Sequence, residues 1–181
     1  GVVLGLGFLA KYSFALLAIA LLMAMSTVPA YRRRLRDPRL LLALFCVVQG
    51  LATVILDLNR THAAHPRWLG HARFHVVWQT VTVAVLAIIE VSLLWYPGPF
   101  VSERFYLVAI LAFAPMIGFF AALITRHVYG GTLSDPGGIP PVRLKLGGRE
   151  MKVDMNLVAE IAGVITVGGI AALYHYSVQQ P

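Results

Sequence analysis

Five apolar runs, each near the length of a bilayer's hydrocarbon core, divide this sequence and constrain its fold more than any other feature. They cover about 2–30, 39–58, 74–95, 104–128 and 156–176. A helix needs roughly 20 apolar residues to cross a core about 30 Å thick. Inside hydrocarbon the backbone must satisfy its own hydrogen bonds, and a helix does so within one segment. Composition agrees: 59% of the 181 residues are apolar and 13% are charged, against about a quarter charged in soluble domains. The expected fold is an all-α integral membrane protein, a single domain over 1–181 built as a bundle of about five transmembrane helices.

The first run is interrupted by Lys11 and has some features of a signal peptide, with Val28-Pro29-Ala30 in the place of a cleavage site. The basic cluster that follows, Tyr31 to Arg36, instead predicts a retained span, because such a cluster holds its end in the cytoplasm. Net charge is +7. The basic residues gather at the ends of apolar runs, where they meet lipid headgroups, so the charge points to membrane lipids and not to nucleic acid. Cys46 is alone in the sequence, so no disulfide closes within it, and its apolar surroundings make it a small buried hydrophobe.

The connections carry turn chemistry. Asp37-Pro38 is a helix start, and Tyr96-Pro97-Gly98-Pro99 stops the third run. Pro115 should kink the fourth run and free a carbonyl one turn earlier. The connection from 129 to 155 contains Val142 to Leu146 and Arg149 to Val153 around Gly147-Gly148. This alternation predicts either a short β-hairpin, with Val142 opposite Val153 and Leu144 opposite Met151, or an irregular surface loop. Glu160 is expected in the first turn of the last helix, where a carboxylate suits the helix dipole. Gly163, Gly168 and Gly169 offer close helix contact there.

Two of the runs carry polar stripes. Gln49, Thr53 and Asp57 recur every fourth residue, and His75, Gln79, Thr82 and Glu90 share a narrow face of the next span. Between them lies a stretch, Asp57 to His75, that holds His62, His65, His71 and His75 with Asn59 and Trp68. Asn59 or Thr61 is suited to cap a short helix there. Spacings of three and four put each histidine pair on one helix face, and neutral imidazole is a ligand for zinc, iron and copper. The four histidines are therefore the candidate metal ligands. Asp57, Asn59, His75, Gln79, Glu90 and Glu160 are the candidate polar pocket, with Asp57 and His75 a possible acid–base pair. The bland reading is equally concrete: interfacial His, Arg and Trp anchor a loop, and polar stripes pack helices.

Asn59-Arg-Thr-His62, Pro66-Arg-Trp68 and His71-Ala-Arg-Phe-His75 resemble the signature of a family of small multi-pass membrane proteins of unknown function. The resemblance implies a comparable helical bundle and supplies no activity. In size and span number the chain is also loosely similar to sterol-isomerase-like membrane proteins, but its motif departs from that family's pattern and no catalytic residue carries over.

The sequence thus supports two expectations: a site at the membrane face for a metal or a lipophilic molecule, or an accessory subunit of a larger membrane complex. Whether it is an enzyme stays open. With five spans the histidine side holds eight basic residues in its connections and the opposite side six, Arg32, Arg33, Arg34, Arg36, Arg39 and Arg104. The early cluster is the stronger orienting signal, which places the histidine side outside the cytoplasm.

Overall fold

The computed structural model describes residues 37–134, 141–146 and 149–179. The expected first span, 2–30, lies outside the described residues. The chain divides into two compact units, Gly1–Leu41 and Leu42–Pro181. Among the described residues, four helices are long and apolar enough to cross a membrane: α1 (Pro38–Asp57), α2 (Gly70–Trp95), α3 (Val101–Thr125) and α4 (Met155–Gln179). A two-stranded antiparallel hairpin, β1 (Val142–Leu146) with β2 (Arg149–Val153), precedes α4. An integral membrane location fits these helices.

The helix starts follow local chemistry. In the first unit, Asp37 caps α1 by accepting from Arg39 N at 2.9 Å, and Pro38 occupies the first helical position, where no N–H is needed. Asp154 caps α4, accepting from Asn156 N at 2.9 Å and Leu157 N at 3.3 Å. This corrects the expectation for Glu160: the carboxylate at that helix start is Asp154, and Glu160 lies a turn further in. Helix α2 begins at Gly70, four residues before the expected 74, so His71 and His75 are both helical.

Helix α3 begins at Val101, earlier than the expected 104, because two left-handed residues complete the turn, Gly98 with φ 113° and Phe100 with φ 66°. It ends at Thr125, not 128. The chain leaves it through a turn in which Gly130 is left-handed and Gly131 N donates to Arg126 O. The hairpin has the expected register, Val142 opposite Val153 and Leu144 opposite Met151.

The helices of the second unit alternate in direction. Near one end Thr80 of α2 meets Asp57 of α1, while Glu90 lies beside Cys46. Helices α3 and α4 run antiparallel, with Phe105 stacked on Tyr174 at 3.8 Å and Met116 against Gly163. Helices α1 and α2 approach closely at Gly50, where a Cβ would stand 2.8 Å from that of Ala87. Small residues serve this purpose in lipid, where helix association depends on close van der Waals packing. Buried residues form a narrow core that includes Leu42, Cys46, Thr80, Phe105, Ala112 and Val167. Ile88, Ile110, Ile117, Ile124 and Ile165 are exposed on the helix surfaces, as a surface solvated by lipid requires.

Candidate functional site

The polar stripes meet at a cavity of about 960 Å³ among the four helices. Gln49, Thr53 and Asp57 reach it from α1, and His75, Gln79 and Thr82 from α2. Helix α4 contributes Asn156 and Glu160, and the connection between α1 and α2 contributes His62. Its apolar walls include Phe45, Leu56, Trp78, Leu86, Met116 and Phe119. The ionisable lining groups, Asp57, His62, His75 and Glu160, stand towards the end of the bundle where α1 finishes and α4 starts. Deeper along the helices the lining becomes Gln49 and Thr82, then Phe45, Leu86 and Met116. The four-residue spacing of the stripes is what brings these polar side chains to one face of each helix.

Some polar groups are already engaged. Gln49 Nε2 donates to Ala112 O at 3.3 Å, within the turn of α3 that Pro115 disrupts, so this amide also ties α1 to α3. Thr53 and Thr82 donate to carbonyls one turn earlier in their own helices. Thr80 Oγ1 donates to Asp57 Oδ2 over a long 3.5 Å. Among the described residues, Glu160 has no hydrogen bond or ion pair.

Asn59 organises the connection without lining the cavity. Its Nδ2 donates to Ile55 O and Leu56 O, closing the end of α1, while its Oδ1 accepts from Thr61 N and Thr61 Oγ1. The Thr61 hydroxyl has one proton, and the amide assignment sends it to Asn59. His62 Nδ1, 2.9 Å from Thr61 Oγ1, must then be the donor of that contact. In the neutral ring this leaves His62 Nε2 as an acceptor, on a ring that also packs edge-on against Trp68 at 5.5 Å.

The four histidines do not converge. His65 is buried beneath the connection, where its Nδ1 accepts from Arg67 N. His71 and His75 form an exposed pair with Nε2 atoms 3.0 Å apart, one ring donating to the other. Among the described residues no group of three or more His, Cys, Asp or Glu lies close enough to hold a metal ion. The His71–His75 pair supplies two donors, half of a closed tetrahedral set. Asp57 and His75 line one cavity, but neither is the other's hydrogen-bond partner; Asp57 takes Thr80 and His75 takes His71.

Glu90 departs from the expected pocket. It is buried at 2% exposure, does not line the cavity, and has the Cys46 thiol as its hydrogen-bonding neighbour. Sequence reasoning placed it on the polar stripe of α2 because of its angular position, but its depth, close to the Trp95 end, separates it from the mouth. Trp78, Asn156 and His62 belong to the cavity and were not singled out for it. Trp78 continues the α2 face one turn beyond His75, a signal the spacing already contained, whereas the contribution of Asn156 depends on where α4 begins. No protein-family model, curated protein or solved structure matches this chain.

Proposed function

We propose that this protein binds a lipophilic small molecule within the membrane. Its polar end lies among Asp57, His62, His75 and Glu160, and its apolar body lies against Phe45, Leu86 and Met116. The cavity carries this reading. At about 960 Å³ it has the size and mostly apolar lining of a small-molecule site with a few convergent polar groups. The convergent polar groups among apolar walls favour an amphiphile over a plain acyl chain.

The test is to extract protein purified from its native membrane and to identify what co-purifies by mass spectrometry. A cavity-filling variant, Ala159→Phe, should retain at least tenfold less of a specific molecule. Recovery of only bulk membrane lipid, in equal amount from both proteins, would overturn the proposal. Metal analysis of the same samples, with a His71→Ala/His75→Ala variant, tests whether a transition metal accompanies the ligand. The orientation proposed for the bundle puts the histidine end outside the cytoplasm, on the strength of the Arg32–Arg39 cluster. Labelling of a His71→Cys variant by an impermeant thiol reagent in intact cells checks it.

A second reading, an accessory subunit, is favoured by Gly168 and Gly169. A Cβ at either position would meet nothing within 4 Å, so α4 keeps a small-residue surface that no described residue packs against. Native mass spectrometry from mild detergent decides it: a stable monomer with no co-purifying chain removes this reading.

A further inference from the structure

The β1–β2 hairpin segregates its residues by face, and nothing in the cavity reading uses it. Paired residues in an antiparallel hairpin point to the same side, so its register puts Val142, Val153, Leu144 and Met151 on one face and Arg143, Lys152, Lys145 and Glu150 on the other, with the fifth pair, Leu146 and Arg149, in register with the first face at the turn end. The apolar face is open: Val142, Leu144 and Met151 are exposed at 43%, 42% and 51%. The other face carries three basic groups against one acid, with Arg143 Nη1 paired to Glu150 Oε1 at 3.2 Å. A two-stranded hairpin alone in water is marginal, so an ordered ladder with a bare apolar face needs a surface against it.

Position supplies that surface. Strand β2 ends at Val153, Asp154 caps the next helix, and α4 begins at Met155. With a single residue between strand and candidate span, β2 ends at the membrane boundary. We infer that the hairpin lies flat in the membrane interface, its Val142–Leu144–Met151 face in the acyl boundary and its Arg143–Lys145–Lys152 face among anionic lipid headgroups. Amphipathic segments bind interfaces in this way, through buried apolar area plus attraction of basic groups to anionic lipid. The basic side chains reach headgroup phosphates by extending their stems past the apolar layer.

Spin labels on single introduced cysteines test this on the full chain in vesicles. The native thiol, Cys46, is 0% exposed, so the unsubstituted chain serves as the labelling blank. The variants are Leu144→Cys and Met151→Cys on one face and Lys145→Cys and Lys152→Cys on the other. All four positions are exposed on the surface of the chain, so folding tolerates them. In phosphatidylcholine vesicles containing phosphatidylserine, labels at 144 and 151 should collide several times more often with oxygen than with a water-soluble nickel chelate. Labels at 145 and 152 should show the reverse ratio. Removing the phosphatidylserine, or raising salt, should reduce the burial at 144 and 151 about twofold, since the basic face then loses its attraction. Four labels equally open to the nickel chelate would put the hairpin in water and overturn the inference. Labels at 144 and 151 shielded from both reagents would also overturn it, because protein would then cover that face instead of lipid.

Discussion

The two ends of the helical bundle are built to different standards. At the end where α2 turns into α3, the polar groups hold one another. Arg104 donates to the carbonyls of Leu93, Tyr96, Gly98 and Pro99, and its guanidinium lies 6.0 Å from the Tyr96 ring centroid. Phe105 stacks on Tyr174, the Tyr174 hydroxyl is 3.1 Å from Ser102 Oγ, and Tyr106 meets His175 Nδ1 at 3.1 Å. At the histidine end, Asp57, His62, His75 and Glu160 surround an open volume, and Glu160 has no partner among the described residues. One end uses its polar groups to close helix termini and join helices. At the histidine end Asn59 and Asp154 close helix termini too, but Asp57, His62, His75 and Glu160 also line an open volume, and a site for a ligand needs polar groups so placed.

Gly50 lies between the two ends and should produce the largest effect. Gly50→Leu forces α1 away from Ala87 and should destabilise by about 3 kcal/mol, the upper part of the range for overpacking. Unfolding in a detergent titration measures it. Gly163→Ala is the control. Its nearest neighbour is Met116 Sδ at 2.9 Å, the flexible part of a side chain that can shift, so its cost should stay below about 1 kcal/mol. Equal losses at the two glycines would mean that the α1–α2 contact at Gly50 is no tighter than the α3–α4 contact at Gly163.

Next in size is the contrast between the ends themselves. Arg104→Ala leaves several carbonyls of the α2–α3 turn without their donor and should cost about 2 kcal/mol, as expected for hydrogen bonds from a charged group. Arg104→Lys should recover only part, because an ammonium cannot span the carbonyls as a planar fork does. At the open end, His71→Ala removes an exposed pair and should change stability by no more than about 0.5 kcal/mol. If the histidine variant proved the more damaging, the pair would be structural and the histidine end would not be the adaptable one.

This contrast also separates what the sequence could carry from what it could not. The four described spans, the hairpin register and both polar stripes were legible because each depends on a local period: 3.6 for the helices and 2 for the strands. Gln49–Thr53–Asp57 and His75–Gln79–Thr82 do face one cavity for that reason. Glu90 failed because angular position says nothing of depth, and 15 residues of helix separate it from His75. The four histidines failed as a metal set because a connection need not continue the helix on either side. His65 turns inward beneath Trp68, while His71 and His75 already ride on α2. Asn59 was placed in the pocket for its chemistry, yet its amide is consumed in closing α1, a choice made by backbone geometry. Arg104 was counted only as an orienting charge, since its acceptors are carbonyls and leave no trace in residue identity.

The smallest expected effect compares the two ends of one helix, α1, which are closed by different chemistry. At its start Asp37 accepts from Arg39 N and forms an ion pair with Arg39 Nη2 at 2.9 Å. Partial burial pushes the Asp37 carboxyl up, but the side-chain and backbone hydrogen bonds from Arg39 and its charge outweigh this and hold it below the ordinary carboxylate value. At its finish the neutral amide of Asn59 closes the helix by donating to Ile55 O and Leu56 O, and that amide does not titrate. A carboxyl depressed in the folded state contributes stability that is fully present above its unfolded value, about 3.9, and is lost as pH falls through the lower folded value. Amide exchange, corrected for its intrinsic pH dependence, should therefore show the first turn of α1 losing protection only below about pH 4, while Thr61 N–H, which donates to Asn59 Oδ1, keeps its own. Asp37→Asn, still a capping residue, should abolish that pH dependence at little cost, whereas Asp37→Ala should cost about 1 kcal/mol at neutral pH. Loss of protection at both ends together would mean that acid opens the whole helix, and that the cap is not what responds.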